Sequence, residues 1–371
     1  MKKKVCHFTI VHTPEDTRIF HKECKSLAKE YDVTLVTTCD TSFDKDGVHM
    51  LGIGYPKSTA DRVKRSFSII PLLRRQKADV YHFHDPELIL TGFLLKKFYG
   101  KTVVYDVHEH YTSKLIDKKL SRFPGIKNII VKGWTWVEKW MGNQFDLVVS
   151  ADSFTASQFT KPPSIVIPNV PTLDFIRGVS EERIINREEE FRVVYLGTIH
   201  ELRGLRTAVE AIEKVKYPNI KLHIIGKSRY PELTKLFNES KRVVFHGTIP
   251  WQVLNEELKK CHLGIALFHP VPGFLYYPGE NIVKLFEYAG MGIPYLISNF
   301  EKLNKFVAVN GGGLNVDPMD TGKIAEAIEK VYLDQSLYSR LRKEGIAMVR
   351  NKYNWENQEK TLLQAYATML A

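Results

Sequence analysis

The sequence predicts a parallel α/β protein built from two strand–helix series in tandem. Three observations predict it. Short runs rich in β-branched and aromatic residues alternate with helix-length amphipathic segments along nearly the whole chain. The alternation is interrupted once, by Lys161-Pro162-Pro163 and then Val166-Ile167-Pro168-Asn169, and afterwards starts again. Glycines follow strand ends in the second series, at Gly197, Gly226 and Gly247, where a backbone must turn sharply or approach a ligand closely. A chain of 371 residues is long enough to give each half its own core.

In the first series, residues 4–11 read as a strand. Residues 19–30 follow as a helix with Phe20, Cys24, Leu27 and Ala28 on one face. Residues 33–38 are a second strand, 40–48 a polar turn and 50–54 a short third strand. Residues 59–77 form a basic helix. The strand 78–84 ends in His82-Phe-His84-Asp85, the helix 88–99 follows, and the strand 102–107 runs into His108-Glu109-His110. A Trp-rich helix over 127–143 and a strand over 147–150 complete the series. Such βα alternation implies a parallel sheet covered on both faces, with ligands at the carboxyl ends of the strands. His12, His84, Asp85, His108 and Glu109 all fall at those ends.

Residues 179–190 are charged and exposed in this reading. The second series begins with the strand 191–195 and a glycine-flanked turn from Gly197 to Gly204. Helices over 205–215, 232–239 and 251–260 alternate with strands over 220–225, 243–246 and 263–268. The loop 269–278 leads to a short helix within 279–294 and a strand over 295–298. Gly311, Gly312 and Gly313 form a turn, and helices over 324–332, 336–349 and 355–370 close the chain. The two series make two Rossmann-like domains: 1–168, then 169–350, with 351–371 as a helix returning to the first.

Bulk properties narrow the function. Hydrophobic content of 44% and charged content of 26% are ordinary for a globular protein, and no apolar run reaches the ~18 residues of a membrane span. The four cysteines are scattered, which argues for a reducing cytoplasm and against a disulfide or metal framework. Net charge is +11. Its densest stretches, 62–77 and 114–139, interleave Lys and Arg with Phe, Ile, Leu and Trp, a pattern suited to an anionic membrane surface or to two helices with solvated basic faces. No nucleic-acid recognition motif accompanies them, so nucleic acid is not an expected partner.

The stretch 279–294 carries the most chemistry. Ile282, Val283, Leu285, Phe286 and Ala289 give an apolar stripe, while Glu280, Lys284 and Glu287 share the other side. A helix N-terminus with a lysine one turn in suits a phosphate; the alternative is an amphipathic helix with a solvated Glu–Lys pair. Asp44-Lys-Asp46 has a metal-binding look, but Asp46-Gly47 is a turn signal between strands. His82, His84, His108 and His110 have no spacing of a known zinc site, so no metal is expected.

Glu287-Tyr-Ala-Gly-Met-Gly-Ile-Pro294 resembles the end of the motif of the retaining glycosyltransferases of family 4, the group 1 family. The segments from Asp16 to Glu23, His82 to Leu88 and Tyr105 to Glu109 resemble first-domain segments of one bacterial branch. The stretch from Tyr195 to Gly204 resembles the donor loop. The resemblance implies the GT-B fold, two Rossmann-like domains facing across a cleft. It implies transfer of a sugar from a UDP- or GDP-linked donor, without cofactor or metal and with retention by front-face attack, in bacterial surface-glycan synthesis. The acceptor is a lipid-linked or polysaccharide glycan, and the enzyme sits in the cytoplasm, peripheral on the inner membrane face. By position it makes His108 and Glu280 catalytic. Gly197, Arg203, Gly226, Gly247, Ile282, Val283, Lys284 and Glu287 bind the donor, and Asp16, Arg18, His84, Asp85 and Glu109 the acceptor. Two departures stand out: Gly279 occupies the place of the motif's first glutamate, and Thr198 that of a basic residue. Either Glu280 or main-chain groups take over the sugar contact. The departures also leave room for a membrane-associated subunit of the same fold that has lost turnover.

Overall fold

The structure, a computed structural model, describes residues 2–108, 124–275 and 277–371, and excludes the side chains of residues 124–128, 130, 251 and 252. It separates into two compact units, Met1–Asn169 with Asn357–Ala371, and Val170–Glu356.

The first unit holds strands β1 (Lys4–Phe8), β2 (Asp32–Thr37), β3 (Phe43–Lys45), β4 (Val48–Gly52), β5 (Val80–Phe83), β6 (Thr102–Val107), β7 (Leu147–Ser150) and β8 (Ser164–Val166). They form one sheet in the order β3-β4-β2-β1-β5-β6-β7-β8, parallel except for the β3–β4 pair. Two of these strands escape a reading by pattern. β3 lies inside what the sequence presents as a polar turn; it is the first arm of a hairpin closed by Asp46 and Gly47, both at positive φ (49° and 79°). Asp44 pairs with His49 and Asp46 with Lys25, so this acidic pair serves the hairpin. β8 lies in the proline-rich crossing and adds an eighth strand beside β7. The basic helix is two, Thr59–Ser68 and Ile70–Gln76, because Pro71 starts a new first turn.

The core of the first unit is aromatic: Phe83 stacks on Tyr105 at 4.6 Å, with Phe145 edge-on to both. Stacking of this kind adds about 0.5–1.5 kcal/mol per pair beyond area burial. The opposite face of the same strands carries polar side chains. His7 of β1 is directly opposite His82 of β5, and His82 is opposite Val104 of β6. With a period of two, His84 and Asp106 extend that row. The C-terminal helix Trp355–Leu370 covers it within the first unit, and Tyr366 reaches His82 through its hydroxyl at 2.8 Å.

The second unit contains β9 (Phe191–Leu196), β10 (Ile220–Ile225), β11 (Val243–Gly247), β12 (Leu263–Ala266), β13 (Tyr295–Ser298) and β14 (Gly313–Val316). All are parallel, in the order β11-β10-β9-β12-β13-β14, with apolar cores on both faces. The helix Glu301–Asn310 and the strand β14 around the glycine run are additions to the sequence reading. No described helix is long and apolar enough to cross a membrane.

Candidate functional site

In the second unit, Gly197, Gly226 and Gly247 line up at the ends of three neighbouring strands. Gly226 N–H donates to Gly247 O at 2.7 Å, and Gly197 N–H to Ile225 O at 3.0 Å. A Cβ on Gly226 would lie 1.8 Å from Gly197 O, so this glycine permits the close approach of two loops. Gly247, at φ 65°, faces open space.

Beside this row stands the helix Val283–Gly290. It buries Leu285, Phe286, Tyr288 and Ala289 against the sheet. Tyr288 fills the space left by Gly264, and its hydroxyl accepts from Leu196 N–H at 2.7 Å, which fixes the helix to the residue before Gly197. The helix stops where Gly292 turns to φ 66° and the Arg342 guanidinium hydrogen-bonds Gly292 O. Its first amides, at Val283 and Lys284, precede the intrahelical ladder.

Two cations converge here. Lys284 Nζ sits 3.7 Å from the centroid of the Tyr195 ring, and a Cβ on Gly197 would come within 3.3 Å of it. Tyr195 is itself pinned, donating to Thr198 O at 2.7 Å. Arg203 ends a short 3-10 turn, Glu201–Arg203, and its guanidinium lies 5.0 Å from both the Phe268 and Phe274 rings. Neither cation has an ion pair or a hydrogen bond among the described residues. Burial and then Arg203 push the Lys284 ammonium well below its ordinary range, only partly offset by Glu287. A half-buried, unpaired arginine–lysine pair beside a helix N-terminus is arranged for an anion.

Gly279 explains its own departure from the motif. It is buried in a 3-10 turn, Gly279–Asn281, and a Cβ there would meet three Phe306 ring carbons at 2.3, 2.5 and 2.8 Å. A side chain at this position would have to displace that ring; the next residue, Glu280, is half-buried.

In the first unit the polar row forms a relay. His84 Nδ1 and His108 Nε2 both donate to Asp106 Oδ2, at 3.1 and 2.7 Å. Arg18 holds the same carboxylate with two bonds, 3.1 and 2.8 Å, and donates a third to Ile167 O at 2.7 Å. Burial alone would raise Asp106; Arg18, His108 and His84 outweigh it and keep it well below the usual carboxylate range. With its Nε2 proton on Asp106, half-exposed His108 has no hydrogen-bond partner at Nδ1 among the described residues.

The expected acceptor residues separate. Arg18 is 4% exposed and spent on Asp106, Glu23 and Ile167, so it positions the relay and cannot reach an acceptor. His84 is likewise buried, with both ring nitrogens engaged, one of them by His7 Nδ1 at 2.9 Å. Asp85 is buried and organises the loop after β1, accepting from Thr9 Oγ1 and Ile10 N–H at 2.7 and 2.6 Å. Asp16 is half-buried and bonded to His12 Nδ1 at 2.8 Å. Glu109 lies outside the described residues.

Asp106 and Tyr195 stand beside these groups without having been singled out in the sequence, whereas His12 is among the strand-end residues it picks out. The signal for Asp106 was present: His82-x-His84 and Asp106-x-His108 alternate with the period of a strand. That regularity also assembles metal-type donors. His84, Asp106 and His108 offer ligand atoms within 4.8 Å of one another, as do His7, Glu23, His82 and His84. The sequence draws attention to His82, His84 and His108 but their spacing matches no zinc site; the sheet, not the chain, brings His7, Glu23 and Asp106 beside them.

Two α/β units built on largely parallel sheets, one with a cation pair at a glycine row, have the architecture of the GT-B fold. The chain belongs to the group 1, family 4 glycosyltransferases: Glycosyltransferase Family 4 matches residues 17–172 and Glycosyl transferases group 1 matches residues 190–334. It is 22% identical over 319 residues to the alpha-1,3/1,6-mannosyltransferase ALG2 of Homo sapiens, covering 80% of this chain and 69% of that protein. Among solved structures it superposes on the sucrose-phosphate synthase of Thermosynechococcus elongatus with a TM-score of 0.77 at 16% identity, covering 100% of this chain and 99% of that one. Anabaena HepE in complex with UDP-glucose gives 0.72 at 12%, covering 98% and 99%. These likenesses show the GT-B fold, and the chain is a glycosyltransferase.

Proposed function

We propose that this glycosyltransferase takes a nucleoside-diphosphate sugar and transfers the sugar, with retention, to a lipid-linked or polysaccharide acceptor. The observation that carries the reading is the unpaired Arg203–Lys284 pair at the first turn of Val283–Gly290. A leaving diphosphate supplies the missing negative charge, and the two cations with the helix amides stabilise it as the C1–O bond breaks. Metal is not required in this role. Glu287 takes the two ribose hydroxyls, as a carboxylate does with vicinal donors, and Glu280 takes a sugar hydroxyl. The acceptor oxygen attacks C1 from the face the diphosphate leaves. Its proton passes to the departing phosphate oxygen, so no protein nucleophile is needed. His108, with Nε2 held by Asp106, offers Nδ1 to the transferred sugar.

The solved neighbour bound to UDP-glucose and the curated relatives named as mannosyltransferases make UDP and GDP the donors to test. Gly279 has a packing reason in Phe306, which favours transfer over the second reading, a membrane-associated subunit of the same fold that has lost turnover. Calorimetric titration with UDP and GDP tests the reading; heat-silent titrations with both would overturn it, and Arg203→Ala must weaken whichever binds.

A membrane-apposed place for the first unit has support in the helix Pro124–Gly142. Ile129, Trp136 and Trp140 are exposed, the two tryptophans stacked 6.1 Å apart, and exposed Lys132 lies on the same side. In this reading the enzyme works on the cytoplasmic face of the inner membrane in bacterial surface-glycan synthesis.

A further inference from the structure

Behind the relay lies a second cluster that the transfer reaction does not use. His7, His82 and Glu23 are each 0% exposed. His7 Nε2 and His82 Nε2 have no hydrogen-bond partner among the described residues, and the Glu23 carboxyl has only Arg18 and the neighbouring Asp106 beside it. His82 Nε2 and Glu23 Oε2 are 4.0 Å apart, and with His84 the group brings four donor atoms within 4.8 Å of one another.

Two arguments say what this arrangement lacks. The first is proton order. Asp106 only accepts, so His84 Nδ1 donates to it and His84 Nε2 accepts from His7 Nδ1. His7 Nε2 is therefore a bare lone pair, buried and without a hydrogen-bond partner among the described residues. The second is charge. Arg18 Nε is 3.0 Å from Glu23 Oε1, but the guanidinium is already bidentate on Asp106. Two fully buried carboxylates thus share one cation, a costly excess of negative charge. A proton on Glu23 relieves the charge and can pair with at most one of the two imidazole nitrogens; a divalent cation satisfies both.

We propose that His7 Nε2, His82 Nε2 and Glu23 bind one divalent transition-metal ion of the zinc class, a structural ion joining β1, β5 and the helical segment Ile19–Cys24. Two neutral imidazoles and one carboxylate are a donor set suited to such an ion. Each imidazole has its other nitrogen fixed by a partner, His7 by His84 and His82 by the Tyr366 hydroxyl, as ligand histidines require. Ligand atoms of one tetrahedral ion at about 2.1 Å lie about 3.4 Å apart. The present 4.0 Å closes by a small side-chain movement. The Tyr366 contact brings the C-terminal helix into the same junction, so the ion fastens both ends of the first unit's chain. This inference is independent of the donor chemistry of the second unit.

The test uses the full chain without a histidine tag, produced in zinc-supplemented medium, desalted against chelator and measured by plasma mass spectrometry. About one zinc per chain is expected, with the content falling at least about tenfold in His82→Gln and Glu23→Gln and unchanged in His49→Gln. Wild-type chain with less than about a tenth of an ion, or a His82→Gln variant that keeps its zinc, overturns the proposal and leaves a buried water or proton in the cluster. If the variants do not fold, wild-type chain produced in cobalt-supplemented medium decides. Visible d–d absorption of a tetrahedral N,O-ligated cobalt supports the site, and a colourless protein overturns it.

Discussion

Replacing Lys284 by methionine should weaken nucleotide binding without weakening the fold. The methionine keeps the stem against Tyr195 and removes only the ammonium, which has no ion pair or hydrogen bond among the described residues. For a phosphate at about 4 Å and an effective dielectric of about 20, Coulomb's law gives about 4 kcal/mol. Desolvation and ordering bring the net value to the about 1.5–3 kcal/mol of a charged hydrogen bond, or roughly 10- to 150-fold in Kd. The free chain meanwhile loses a poorly solvated cation that already repels Arg203. Its melting temperature should stay level or rise. Calorimetry with the nucleotide that binds wild type, beside a thermal melt, reads both quantities. A third readout follows from linkage. Lys284 lies below its ordinary value in the free chain because of burial and Arg203, and a bound phosphate raises it. Between the two values binding takes up a proton, so affinity falls as pH rises, by at most about tenfold per pH unit. Titration in buffers of different ionisation enthalpy measures the uptake, which K284M abolishes. A variant that melts lower and binds as tightly as wild type would refute the reasoning and make Lys284 a structural partner of Tyr195.

Gly279→Ala forces a methyl into the Phe306 ring, itself held by Phe286 and Tyr353, and should cost about 1–3 kcal/mol or about 2–12 °C in the second unit; an unchanged melt would mean the turn has room. His108→Gln should lower kcat by about a hundredfold or more with little change in melting temperature, checked by donor turnover once the nucleotide is known; an active variant removes His108 from the chemistry. Asp16 is held far below the usual range because bonds from His12 and the Ile19 amide outweigh burial, and His12 is raised because Asp16 and Asp85 outweigh its burial. Asp16 therefore stabilises the fold above its unfolded value near 3.9 and loses this as pH falls below it, while His12 contributes below its unfolded value near 6.5 and loses this as pH rises through its folded value. Asp16→Asn should flatten both flanks of a urea-unfolding curve against pH, and a parallel shift would contradict the pairing. Trp136→Glu with Trp140→Glu should release the chain from vesicles containing anionic lipid in a flotation assay, and equal flotation would remove this face from membrane contact.

The sequence by itself determined the alternation of strands and helices, the glycine row at Gly197, Gly226 and Gly247, and the helix carrying Lys284 and Glu287. These are local facts: hydrophobic period, turn residues and motif order are written in neighbouring positions. Hairpin strand β3 and edge strand β8 escaped because each spans only three residues and gains its identity from a partner strand. The tertiary structure decided the rest. It turned Arg18 from an acceptor contact into a clamp on Asp106, because a partner 88 positions away is invisible to spacing. It placed the Phe306 ring, which arrives from another helix, where a side chain at Gly279 would lie. It left Arg203 and Lys284 without an ion pair among the described residues and brought His7 and His82 opposite each other on β1 and β5. Charge balance and ligand geometry are sums over contacts in space, and only the folded sheet supplies those contacts.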